Sequence, residues 1–194
     1  MALYRIFPTQ DSSIYSELAT TNTGRDELLE IGRYESGGAY KTIRSLIQFD
    51  TTEIQDVLNN KSNKTLLGAT LNLKLNFAQE LPTSFTIAWI EGVGKFGDDP
   101  VNTSGCSWNK RNSSDDWSTP GGGTFKIFNT NSGLGQDVTV SGSQDFNKNS
   151  NYDINIGVGG AMTEWYSGSL SNNGFVVKLD DSTEASSDNS IRLK

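Results

Sequence analysis

Twenty-three carboxylates and no histidine set the chemistry open to this sequence. Without histidine there is no Ser-His-Asp or Cys-His nucleophile system, no histidine-ligated zinc, and not the commonest general base. The single cysteine, Cys106, has no imidazole to activate it and reads as a packed, inert thiol. Carboxylate pairs stand at Asp98-Asp99, Asp115-Asp116 and Asp180-Asp181, with Glu164 alone. Glycoside hydrolysis uses two such groups facing each other across a sugar. Neighbours on one loop do not face each other in that way, so these are expected to be solvated turn residues and no enzyme is expected. Gly92 to Gly97 matches the GxGxxG pattern, but Asp98-Asp99-Pro100 follows where a helix must begin. A pyrophosphate would meet no helix dipole there, and two negative charges would repel it.

Binding chemistry has better material. A structural calcium ion is a possible cofactor, and Asp11, Glu17 and Asp26 near the N-terminal turns are its candidate donors, although no spacing resembles an EF-hand loop. No other cofactor is expected. Trp108 to Gly123, WNKRNSSDDWSTPGGG, is long, polar and short of aliphatic residues, yet it holds two of the four tryptophans. Loops of that length are functional or disordered, and tryptophans argue against disorder. Arg111 is expected to satisfy carbonyls or carboxylates there, and Gly121 to Gly123 to turn the chain back into a strand. Both tryptophans can anchor the loop to the body. Trp117, beside Asp115 and Asp116, is also the best candidate for an exposed ring that stacks on a sugar or a protein neighbour. Tyr34 and Tyr40 flank the glycine-rich turn Glu35 to Gly38 and are candidates for the same role. Trp89 and Trp165 lie in apolar periodic settings and are expected in the core.

The elements positioning these residues read as short strands. Expected strands run over Ala2 to Pro8, Ile14-Tyr15, Leu28 to Gly32 and Thr42 to Phe49. The clearest alternation is Leu71, Leu73, Leu75, Phe77, with Phe85 to Ile90 expected to pair beside it after a turn at Leu81-Pro82. Further strands are expected at Thr124 to Phe128, Asp137 to Val140, Tyr152 to Val158, Phe175 to Leu179 and Ile191 to Leu193. Thr51 to Lys61 is expected to be helical, with Thr52 and Gln55 at capping-box spacing. A second short helix is expected at Ala161 to Gly168, with Met162, Trp165 and Tyr166 on one stripe and Gly168 as its stop. The expected fold is all-β: a two-sheet antiparallel β-sandwich, or jelly roll, with two short helices, forming a single domain over residues 1–194. The first and last strands are expected to lie close together.

Composition supports that class. Hydrophobic residues make up only 34% of the chain and fall in short runs separated by 20 glycines, the pattern of a sheet protein with polar loops. At 194 residues a core forms without disulfides. A net charge of −7 argues against nucleic acid as a partner and offers no polybasic handle for a membrane. The opening MALYRIFPTQ lacks the apolar stretch of a signal peptide, so synthesis and folding in a cytosol are expected. The sequons at Asn60, Asn63, Asn102 and Asn112 then go unused.

In order, IFPTQDSSIYS, RSLIQFD, LLGATLNLKL, SWNKR with DDWSTPGG, AMTEWYSG and NNGFVVKLD run from Ile6 to Asp180. Together they resemble the DNRLRE-type jelly-roll domain, a carbohydrate-binding-module-like sandwich of bacterial surface and secreted proteins, over nearly the whole chain. The chain also resembles small structural proteins of tailed bacteriophages. That resemblance implies a non-enzymatic virion protein, made in the host cytoplasm without a signal peptide, with capsid, neck, tail or fibre proteins as partners. The alternative, implied by the carbohydrate-binding-module-like resemblance, is a module recognising cell-surface or extracellular glycans.

Overall fold

The computed structural model describes residues 3–60, 68–79, 83–91, 96–97, 105–126, 136–140, 153–186 and 188–193. Among them are ten strands, all paired antiparallel, and three short helices. In chain order these are β1 (Gln10–Tyr15), β2 (Leu29–Ser36), β3 (Ala39–Gln48), α1 (Thr51–Asn59), β4 (Thr70–Ala78), β5 (Thr83–Ile90) and β6 (Phe125–Lys126). Then follow β7 (Gln136–Val140), β8 (Asp153–Gly157), α2 (Gly159–Ser167), β9 (Phe175–Leu179), α3 (Asp181–Ser186) and β10 (Asn189–Leu193). The protein is all-β, as its alternating runs require.

The hydrogen-bonded order is β6-β5-β9-β3-β2-β10-β4-β8, with β1 on β3 and β7 on β5. The hub is β3. Its first half pairs with β2 from Ser36↔Ala39 to Gly32↔Ile43, and its second half pairs with β1 from Tyr15↔Ile43 to Gln10↔Gln48. Residues Ser45 to Ile47 also pair with β9. Chain neighbours β2 and β3 are joined by Gly37 and Gly38, both at positive φ (62° and 77°), which is the backbone of a two-residue primed turn. At the far end of the order β8 lies beside β7, so the sheet curls and its ends approach.

Most apolar side chains meet in one core. Ile31, Ile47, Leu73, Phe85, Trp89, Trp165, Phe175, Val177 and Leu193 all belong to it. Trp89, Trp165 and Phe175 meet there with tilted rings, the Trp165 ring centroid lying 5.0 Å from that of Trp89 and 4.9 Å from that of Phe175. A second cluster lies on the other side of β9, where Ile14, Leu46, Ala88, Ile90 and Val176 meet Phe96, Cys106 and Trp117. Every residue of β9 is buried. A strand covered on both faces reads as a near-continuous apolar run, and Phe175 to Leu179 does so except at Lys178, whose ammonium is met by Asp181 and Glu184.

Several expected elements take a different form. Residues 3–8 are not a strand, and Leu3 and Phe7 are 84% and 74% exposed. Pairing with β3 begins only after Pro8, which has no N–H to give, when the Thr9 amide donates to the Gln48 carbonyl at 2.8 Å. The cap of α1 is Asp50, not Thr52, its carboxylate accepting from the Thr52 amide at 2.8 Å. In β4 the alternation fails after Leu75, because a bulge opposite β10 inserts Asn76 and turns Phe77 outward, 40% exposed. Phe77 lies 5.7 Å from the Arg192 guanidinium instead of in the core. Strand β5 does not neighbour β4; it pairs with β9, β6 and β7, while β4 sits between β10 and β8. The first and last strands are not bonded to each other: β1 pairs with β3, β3 with β2 and β2 with β10, and the Ser13 hydroxyl of β1 accepts from the Glu30 amide of β2. A third helix, α3, follows β9 directly. The turn at Leu81-Pro82, the pair Asp98-Asp99, Gly92 to Lys95, Asn63, Asn102 and Tyr152 lie outside the described residues.

Candidate functional site

The long loop is a cover sewn onto the sheet. Trp117 is 7% exposed and packs in the second cluster, and its indole N–H donates to the Ser107 carbonyl at 2.8 Å. This overturns the expectation of an exposed Trp117 ring: burying the indole secures the loop, and the carbonyl satisfies its one polar atom. The Asn109 side of the loop is held by the Asn109 amide donating to Ala19, and the Trp117 amide to Asn109. Asn22 donates to the Cys106 carbonyl at 2.7 Å. Cys106 is fully buried.

Its charged residues face one another. Arg111 donates to Asp115 at 2.6 Å, and Lys110 pairs with Asp116 at 2.7 Å across a bridge between the same two stretches. Asn112 closes the turn, accepting from the Ser114 and Asp115 amides and donating to the Asp115 carboxylate. The Asn112 bond first, then the Arg111 bond, hold the Asp115 carboxyl below its ordinary range. Arg111, Asp115, Asp116 and Trp117 are therefore together, with the charged groups paired within the loop and the Arg111 Nε buried without a hydrogen-bond partner.

Beneath the loop lies a partly buried ion network that the sequence pattern did not disclose. Arg44 of β3 donates twice to Glu184 of α3, at 2.9 and 2.7 Å, and once to the Gly121 carbonyl at 2.9 Å. Its guanidinium also lies 5.3 Å from the Trp108 and Phe125 rings. Lys178 of β9, 5% exposed, stands 3.6 Å from Glu184 and bonds Asp181 and the Leu179 carbonyl. Asp180 caps α3 through the Ser182 and Thr183 amides and hydroxyls. Burial pushes the Asp180 carboxyl up, but those bonds outweigh it and leave it below the ordinary range. The sequence signals for this network are the two cations set among strand residues, Arg44 in TIRSLI and Lys178 in FVVKL.

Tyr34 and Tyr40 do not share a face. Register pairs Tyr34 with Lys41 and Glu35 with Tyr40, and adjacent strand positions point opposite ways. The Tyr34 hydroxyl donates to Glu17 at 2.6 Å, and the Ser36 hydroxyl donates to the other oxygen at 2.7 Å. Burial, then the Glu17 bond, push the Tyr34 phenol up to about 12, while the Tyr34 and Ser36 bonds lower Glu17. Tyr40 is 58% exposed, with the Arg33 guanidinium 3.5 Å from its ring centroid.

Glu17 is thus engaged by two hydroxyls, Asp11 sits in β1, and Asp26 lies in the following turn, where its amide donates to Thr23. Among the described residues no three acidic, histidine or cysteine side chains converge to hold a metal, so the three calcium candidates do not form a site. A pocket of about 400 Å³ lies between Tyr4 and α1, with Asp50, Glu53 and Asp56 on its wall, and Asp50 already serves as the helix cap. No helix among the described residues is long and apolar enough to cross a membrane.

No protein-family model matches this chain, and no curated protein matches it.

Proposed function

We propose that this chain is a non-enzymatic docking module, a jelly-roll-like sandwich that builds into a larger protein assembly. The tailed-phage particle is the setting to which its sequence pattern points, with capsid, neck, tail or fibre proteins as neighbours. One observation carries the docking reading. Leu3, Tyr4 and Phe7 are 84%, 45% and 74% exposed within one extended segment, three large apolar side chains on a short stretch of a soluble-type surface. Contiguous exposed apolar side chains mark contact sites, and a strap of this kind gains area on a neighbour without disturbing the sheet behind it. The sandwich assignment is supported by β3, whose halves serve two different strand sets, and by a core enclosed between them.

The glycan reading draws less support. A sugar cleft needs exposed rings side by side, and of Trp117, Tyr34 and Tyr40 only Tyr40 is more than half exposed.

The test is proteomics of density-purified particles from the source. Stoichiometric presence is the expected result, and a Leu3→Ser, Phe7→Ser variant is expected to fall in copy number by tenfold or more while keeping the wild-type unfolding midpoint. Absence of the wild-type chain from clean particles overturns the proposal.

A further inference from the structure

Arg33 is the one buried arginine among the described residues whose charge meets no carboxylate. Arg44 pairs with Glu184, Arg111 with Asp115 and the half-exposed Arg192 with Glu30. Arg33 is 6% exposed, and its Nη1 is buried with no hydrogen-bond partner. Its contact is the ring of Tyr40, diagonal to it across β2 and β3. A ring face compensates a guanidinium only in part, because it accepts none of the five N–H donors in that fork. Buried polar atoms left unmatched are costly, and native proteins keep few of them. The ring covering Arg33 is itself exposed and stands two residues from the Gly37-Gly38 turn.

We infer that Arg33 is a receptor for a carboxylate presented by a neighbouring protein, reached at the β2–β3 hairpin when the Tyr40 ring swings aside. A carboxylate matches the guanidinium fork with two parallel bonds, which the ring cannot. Tyr40, freed from the cation, becomes an aromatic contact at the rim, a residue type favoured at interfaces. This rests on the docking reading and adds to it the chemistry of the neighbour: an aspartate or glutamate side chain at the contact.

The test uses the full chain with a short polyglutamate peptide at low ionic strength, followed by calorimetric titration. Saturable binding is expected for the wild type, with at least a tenfold loss in Arg33→Met. Tyr40→Ala, at an exposed position of β3 next to the hairpin turn, uncovers the guanidinium and is expected to bind equally or more tightly. Arg33→Met is also expected to unfold at or above the wild-type midpoint, because it removes an unpaired buried charge and breaks no ion pair. A wild type that does not bind the peptide overturns the inference. So does an Arg33→Met protein that binds as well as the wild type, or one destabilised as much as Arg44→Met. Binding of a carboxylated polysaccharide in place of the peptide overturns the assignment to a protein neighbour. Wild-type copy number of Arg33→Met on particles removes Arg33 while leaving the docking reading standing.

Discussion

Arg44 and Glu184 lie 140 residues apart in sequence and meet in a two-pronged ion pair that ties the hub strand to α3. Their side chains are 17% and 14% exposed, so solvent screens the pair little. Removing Arg44 leaves Glu184 only the more distant Lys178, and removing Glu184 leaves the Arg44 guanidinium without a carboxylate. Arg44→Met is expected to cost about 3 kcal/mol, toward the low end for a broken buried pair. Glu184→Leu strands Arg44, leaves Lys178 with Asp181 as its carboxylate partner, and is expected to cost at least as much. The double variant is expected to recover a coupling of at least about 1.5 kcal/mol in denaturant unfolding. Additive losses would show that the two residues act separately.

Trp117 is expected to behave as a core residue. Trp117→Ala should lower stability by about 3–5 kcal/mol, the range for a large aromatic truncated in a packed site. Trp117→Phe keeps most of the ring but takes the donor from the Ser107 carbonyl, a loss of about 1–3 kcal/mol. Urea unfolding of the two variants separates packing from the hydrogen bond. A Trp117→Ala protein as stable as the wild type would mean that the loop is not anchored by this ring.

What was legible in the sequence followed local periodicity. Leu71, Leu73 and Leu75 point inward as their spacing requires, Trp89 and Trp165 are core, and Gly168 ends α2 in the left-handed conformation. What was not legible depended on partners distant in sequence. Phe77 continues the leucine pattern, yet a bulge set by β10, more than a hundred residues later, turns it out. Ala2 to Pro8 has strand composition, but residues 3–8 form no strand, and backbone pairing with β3 starts at Thr9. Trp117 stands in a polar stretch, and only the second cluster, built from β1, β3, β5 and β9, explains its burial. Arg33 and Arg44 look alike in sequence as arginines within strands. Only the fold shows that one finds a carboxylate and the other does not.

Gly121 is expected to be far less replaceable than Gly38, although both have positive φ, 93° and 77°. A Cβ on Gly38 meets nothing within 4 Å, so Gly38→Ala carries only the backbone cost of about 1–2 kcal/mol. On Gly121 a Cβ would come 2.8 Å from Trp108 Cζ2 and 2.9 Å from Arg44 Nη1. Gly121→Ala must therefore push apart the contact that holds the loop on the ion network, and it should exceed the Gly38→Ala loss by at least about 1 kcal/mol. Equal losses for the two variants would show that Trp108 and Arg44 yield without cost.

The Tyr34–Glu17 bond gives the protein a dependence on pH at both extremes. The Tyr34 phenol, raised to about 12 by burial and then by Glu17, favours folding fully below the ordinary tyrosine value of about 10. That contribution is lost as pH rises through about 12, when the phenol ionises in the folded state. The Glu17 carboxyl, lowered by the Tyr34 and Ser36 hydroxyls, contributes above its ordinary value of about 4.3 and loses that contribution as pH falls through its lowered one. The stability difference between wild type and Tyr34→Phe is thus expected to be flat from about pH 5 to about pH 9 and to shrink on either side. In a spectrophotometric titration, Tyr34→Phe should remove a tyrosinate step near 12 and leave the steps near the ordinary value in place. A step lost near the ordinary value instead would mean that Tyr34 and Glu17 are not bonded in solution.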